Sequence, residues 1–149
     1  MKAEKIDHIC IAVRDLKKAC NIYEDTLGLK LNIEYVAENE KIRVARYYLG
    51  DVALELIEPI DPDSEVEKFL EKEGEGGFLM SYRVANVEKG LAELRAKREP
   101  TIDKKPRKLM GNRYAFIQPP NLMCGVLTEI LDGEFDPNEE EEFSLEHEE

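Results

Sequence analysis

The first half of this chain recurs in its second half, and a repeat of that kind admits few folds. Residues 5–13 (KIDHICIAV) read as a strand running into a helix start at Arg14-Asp15-Leu16. Residues 78–84 (FLMSYRV) read as a strand running into a helix start at Asn86-Val87-Glu88. Val52–Pro59 (VALELIEP) closes the first half and residues 125–131 (GVLTEIL) close the second. His8 and Leu79 occupy matching points in the opening strands, 71 residues apart, and Glu55 and Glu129 match in the closing strands, 74 apart. A repeat that sets His, Glu and Glu at equivalent points implies one metal or proton-transfer site at a pseudo-twofold axis, with a leucine at the fourth point.

Local patterning extends the repeat. In residues 5–13, Ile6, His8, Cys10 and Ala12 share one strand face, while Ile9, Ile11 and Val13 form a β-branched face suited to lie under a helix. Asp15 is the expected N-cap, Leu16, Ala19, Cys20, Tyr23 and Leu27 follow at helical spacing, and Gly28 ends the helix. Residues 31–37 read as a strand, and residues 42–49 and 52–59 as a hairpin through Gly50-Asp51. A short helix is expected over residues 65–71. The second module repeats the order with Asn86 as N-cap, a stripe of Val87, Leu91 and Leu94, a basic loop over residues 103–108, and strands over 113–118 and 125–131. The expected class is α+β, two β-α-β-β-β modules forming an open mixed-sheet cup. The modules cover about residues 5–59 and 78–131 of a single domain, 1–131, with a linker over 60–77.

Charge narrows the function classes. The formal net charge is −12, but residues 132–149 carry ten acids and no Lys or Arg, leaving 23 acids against 21 bases in the body. The acidity therefore belongs to a tail, expected to be flexible. A nearly neutral body lacks the basic face that duplex nucleic acid requires. No run reaches the ~18–20 apolar residues of a membrane span. Three cysteines, Cys10, Cys20 and Cys124, with no CxxC spacing, fit a reducing cytoplasm.

Each candidate residue has a structural alternative. A lone strand histidine such as His8 is usually packed and hydrogen-bonded, and only its register with two glutamates raises a ligand role. Glu55 in an apolar strand needs a metal or a cation, and Arg43 and Arg46 on the adjacent strand are the structural candidates. For Glu129 they are Arg113 and Arg83. Lys104, Lys105, Arg107 and Lys108 offer charge to phosphates, but an ordinary solvated loop is the simpler reading.

The segments IDHICIAVRDLKKACNIYEDTLGLKL, LGDVALELIEP, FLEKEGEGG and GVLTEIL resemble the vicinal oxygen chelate (glyoxalase/bleomycin-resistance/dioxygenase) superfamily, and most closely its methylmalonyl-CoA epimerases. The resemblance covers roughly residues 5–131. It implies a glyoxalase-like cup around a divalent metal (Co, Ni, Zn, Mn, Mg or Fe), with His8, Glu55 and Glu129 as ligands. The third family ligand, a histidine, falls on Leu79. A glutamate acting as acid/base in the family falls on Asn39, flanked by Glu38 and Glu40. By resemblance, Glu129 and either Glu38 or Glu40 carry the proton α to a thioester, the substrate is a small molecule such as an acyl-CoA, and the protein is a homodimer. Two other activities fit the same pattern: a lyase of the lactoylglutathione type, and a non-catalytic binding protein whose pocket uses aromatics such as Tyr47, Tyr48, Tyr82 and Tyr114.

Overall fold

The computed structural model describes residues 1–139, and residues 140–149, which hold most of the acidic tail and His147, lie outside the described part. Asp7–Met80 forms one unit, and Met1–Ile6 with the chain from Ser81 onward forms another. The first contains most of β1 (Lys5–Ala12), then α1 (Leu16–Leu27), β2 (Leu31–Ala37), β3 (Ile42–Leu49), β4 (Val52–Pro59), α2 (Glu65–Glu73) and the start of β5 (Gly76–Arg83). The second contains the end of β5, α3 (Val87–Ala96), β6 (Arg107–Leu109), β7 (Asn112–Phe116) and β8 (Leu127–Gly133).

Strand order is β2-β3-β4-β1 in the first unit and β5-β8-β7-β6 in the second. The β1–β4 pair is parallel, whereas β2–β3 and β3–β4 are antiparallel, so the sheet is mixed and the class is α+β as the sequence implies. Each unit buries one strand face under a helix. Val13, Leu16, Ala19, Ala45, Tyr47 and Leu56 make the core beneath α1, with Ile11 and Leu54 packed against it. Val84, Val87, Leu91, Ala115, Ile117 and Ile130 make the core beneath α3. Because strand side chains alternate, His8, Cys10, Arg46 and Glu55 are committed to the face away from α1.

The helix starts carry the repeat into hydrogen bonding. Asp15 and Asn86 accept from the third residue of each helix, Lys18 N–H at 3.1 Å and Lys89 N–H at 2.9 Å. An acid from the closing strand then takes the first helical N–H: Leu16 N–H donates to Glu58 Oε2 at 2.6 Å, and Val87 N–H to Asp132 Oδ2 at 2.7 Å. Glu58 and Asp132 are as far apart in sequence as Glu55 and Glu129. In each closing strand, then, one acid faces the helix and another faces away from it. Gly28 ends α1 at φ 66° and Gly50 turns the β3–β4 hairpin at φ 63°, both left-handed.

Several boundaries differ from the sequence reading, among them β7, which ends at Phe116 rather than residue 118, and α2, which runs on to Glu73. β8 begins two residues later than expected and runs on to Gly133, bringing Asp132 into the strand at 6% exposure. β5 starts earlier, at Gly76. Arg107–Leu109, expected as the end of a basic loop, pairs with β7 as β6, an edge strand whose charged residues hide the usual alternation. Among the described residues no helix is long and apolar enough to cross a membrane.

Candidate metal centre

His8, Cys10 and Glu55 are brought together by pairing of β1 with β4. Cys10 stands opposite Glu55 in the parallel register, and His8 is two residues along the same face of β1. All three are buried. His8 Nε2 lies 3.6 Å from Glu55 Oε1, and the Cys10 thiol donates to the same oxygen at 3.5 Å. The donor atoms of the three residues lie within 4.8 Å of one another.

Surrounding groups fix both the His8 and the Glu55 side chains. His8 Nδ1 is 2.9 Å from Asp7 Oδ2, which turns Nε2 toward Glu55. The other Glu55 oxygen, Oε2, accepts from Arg46 Nη1 at 2.8 Å and from the Tyr35 hydroxyl at 2.7 Å. Arg46 in turn donates from Nε to the Tyr48 hydroxyl at 3.0 Å. An outer layer that orients imidazole and carboxylate in this way is the usual support of a metal site.

The electrostatics follow from burial and charge. Burial alone pulls the His8 imidazole down, but Glu55, Cys10 and Asp7 together reverse this and leave it well above the ordinary histidine value. Burial pushes Glu55 up, and His8, Arg46 and the Tyr35 hydrogen bond outweigh it, so its carboxyl sits below the usual range. Burial, followed by the charge of Glu55, drives the Tyr35 phenol well above its normal value. The sequence alternative of a cation for Glu55 is therefore realised by Arg46. Arg43 stands across from Glu58 instead.

The donor geometry fits a small divalent cation. With metal–ligand bonds of about 2.0–2.3 Å in a tetrahedron, neighbouring donors stand roughly 3.3–3.8 Å apart. Two of the three spacings, 3.6 Å for N–O and 3.5 Å for S–O, fall in that range, and the third lies within 4.8 Å.

The other sequence candidates are placed as follows. Glu129 lies on β8 in the second unit, 4% exposed and in register with Phe116. It faces away from Ile130, which packs beneath α3. Arg113 pairs with Asp132 at 3.2 Å, and Arg83 Nη2 donates to the Gly133 carbonyl at 2.7 Å. Glu38 and Glu40 occupy a single 3-10 turn between β2 and β3, the first exposed and the second half-buried. Leu79 is buried on β5, and its neighbour on the same face, Ser81, has a fully buried hydroxyl with no hydrogen-bond partner among the described residues. Arg107 is held by Asp103 at 2.8 Å and 2.9 Å and lies over the Phe116 ring. Tyr47 belongs to the core under α1 and donates to Glu24, so it lines no pocket on the opposite face. Sequence reasoning assigns no role at the site to Cys10 or Tyr35, and offers Tyr48 only as a pocket aromatic rather than as the partner of Arg46. The signal for Cys10 was present, since it alternates with His8 on β1.

Residues 7–116 match the Glyoxalase/Bleomycin resistance protein/Dioxygenase superfamily, and the chain belongs to that family. It is 37% identical over 139 residues to the uncharacterized protein YqjC of Bacillus subtilis, covering 93% of this chain and 99% of that one. It is 29% identical to the mitochondrial methylmalonyl-CoA epimerase of Mus musculus, over 87% of this chain and 73% of the relative. Among solved structures, a variant methylmalonyl-CoA epimerase of Streptomyces coelicolor in complex with 2-nitronate-propionyl-CoA superposes with a TM-score of 0.81 at 34% identity, over 87% of this chain and 97% of that one. A methylmalonyl-CoA epimerase in complex with methylmalonyl-CoA and NH4+ gives 0.81 at 32%, over 92% and 97%.

Proposed function

We propose that this protein is a metal-dependent epimerase that removes and returns a proton α to a thioester carbonyl, acting on an acyl-CoA of the methylmalonyl type. The observation that carries the reading is the facing of His8 Nε2 and Glu55 Oε1, oriented by Asp7 and by Arg46 with Tyr35. It gains weight from solved relatives at similar identity that bind acyl-CoA compounds.

His8 and Glu55 would hold a divalent ion. Such an ion supplies positive charge where negative charge builds on the thioester oxygen. Asp7 keeps the imidazole aimed through Nε2. Arg46 and Tyr35 keep Glu55 ionised and fix which oxygen it presents. Proton transfer falls by resemblance to Glu129 and to Glu38 or Glu40, and Glu40 is the more enclosed of that pair. A homodimer is the proposed assembly on the same resemblance.

The test is α-proton exchange. The metal-reconstituted protein is incubated with one epimer of methylmalonyl-CoA in deuterium oxide. Deuterium at the α-carbon together with the opposite epimer supports the reading. A metal-loaded protein that exchanges no α-proton overturns it, and isomerisation of a glutathione hemithioacetal instead would establish a lyase of the lactoylglutathione type.

One observation favours a non-catalytic binding protein. Arg46 already supplies Glu55 with a countercharge inside the protein. Failure to take up any divalent ion, with ligand binding retained, selects that reading.

A further inference from the structure

We infer that Cys10 is a direct metal donor in this chain, making the centre a His8–Cys10–Glu55 set that favours zinc and cobalt over magnesium and manganese. The inference rests on the metal-dependent reading above and deepens it.

Three observations carry it. Leu79, at the repeat position of His8, carries no donor atom, so a third protein donor must come from elsewhere. Cys10 faces Glu55 across the β1–β4 register, and its Sγ converges on the same Oε1 atom that His8 Nε2 faces. The 3.5 Å hydrogen-bond spacing from Sγ to Oε1 is also compatible with a shared ion, since a metal–sulfur bond near 2.3 Å and a metal–oxygen bond near 2.0 Å in a tetrahedron set those atoms roughly 3.5 Å apart.

Chemistry then fixes the preference. Ions that bind strongly to thiolate and imidazole are the softer ones, whereas magnesium and manganese favour oxygen donors and water. Binding releases the thiol proton of Cys10 to solvent, because the thiolate is the ligand. With only carboxylates beside His8 the centre would be hard; Cys10 makes it thiophilic.

Cobalt(II) tests this without reference to turnover. Wild-type protein loaded with cobalt is expected to show a sulfur-to-cobalt charge-transfer band in the near ultraviolet, with about one cobalt per chain. The double variant Cys20→Ser/Cys124→Ser leaves Cys10 as the single cysteine and is expected to keep the band. Cys10→Ser, with its fold checked by circular dichroism, is expected to lose the band and to bind zinc more weakly than wild type. Cobalt bound at full stoichiometry with no such band in wild type, or a band lost in the double variant, overturns the role of Cys10 and leaves the metal-dependent reading standing. No cobalt bound by wild type overturns both.

Discussion

Arg46 stands directly across the β3–β4 ladder from Glu55 and donates to its Oε2 at 2.8 Å, with both side chains almost closed to solvent. The pairing divides the carboxylate. Oε2 is committed to Arg46 and Tyr35, and Oε1 is turned toward His8 and Cys10. A buried carboxylate anchored on one oxygen presents the other in a fixed direction, and orientation of that kind is what a ligand side chain needs.

Removing the guanidinium leaves a buried charge short of a partner. Arg46→Met is expected to destabilise the protein by about 3–5 kcal/mol, measured by urea unfolding. The double variant Arg46→Met/Glu55→Leu should recover much of that loss, because the uncompensated carboxylate is gone. A single variant as stable as wild type would mean that His8 and the Tyr35 hydroxyl suffice to balance Glu55.

Asp132 is more deeply buried than its counterpart Glu58 and serves two donors, the Val87 N–H and the Arg113 guanidinium. Asp132→Asn should therefore cost about 1–3 kcal/mol, a charged hydrogen bond at a helix start together with its ion partner. Glu58→Gln, whose side chain is half-buried, should cost less. Paired thermal unfolding curves check the order, and a larger loss for Glu58→Gln would contradict it.

Much of this architecture is legible in the sequence, and the gaps have physical causes. β3 and β4 occupy the spans that their alternation and the Gly50-Asp51 turn imply, and α1 starts and stops at Asp15 and Gly28. The carboxylate–cation pairing was legible only as a choice between Arg43 and Arg46. Register decides it, and register depends on how the hairpin closes: Arg46 meets Glu55 while Arg43 meets Glu58. Cys10 lay on the same face as His8 in the strand pattern, but its nearness to Glu55 depends on the parallel pairing of strands 45 residues apart, which no local pattern encodes. β6 was hidden because an edge strand of Arg, Lys and Leu lacks the apolar alternation of a half-buried one.

The three thiols should react in a fixed order. Cys124 is exposed, Cys20 is half-buried with its thiol pushed up by burial, and Cys10 is buried. Only the thiolate reacts, so a disulfide reagent applied to native protein should titrate one cysteine rapidly, with Cys20 slower and Cys10 last. Peptide mass mapping identifies each. Early modification of Cys10 would show that β1 and β4 separate readily in solution.

Leu79 separates packing from ligation. It is buried on β5 at the repeat position of His8, and it has no donor atom. Leu79→Ala should lower stability by about 2–5 kcal/mol through lost burial and the cavity left behind. If the donors are His8, Cys10 and Glu55, the same variant should bind one zinc per chain as wild type does. Leu79→His places an imidazole at the repeat position of His8, so zinc should resist a competing chelator longer than in wild type, even at some cost in stability. Equal chelator resistance in wild type and Leu79→His would mean that β5 holds position 79 out of reach of the ion.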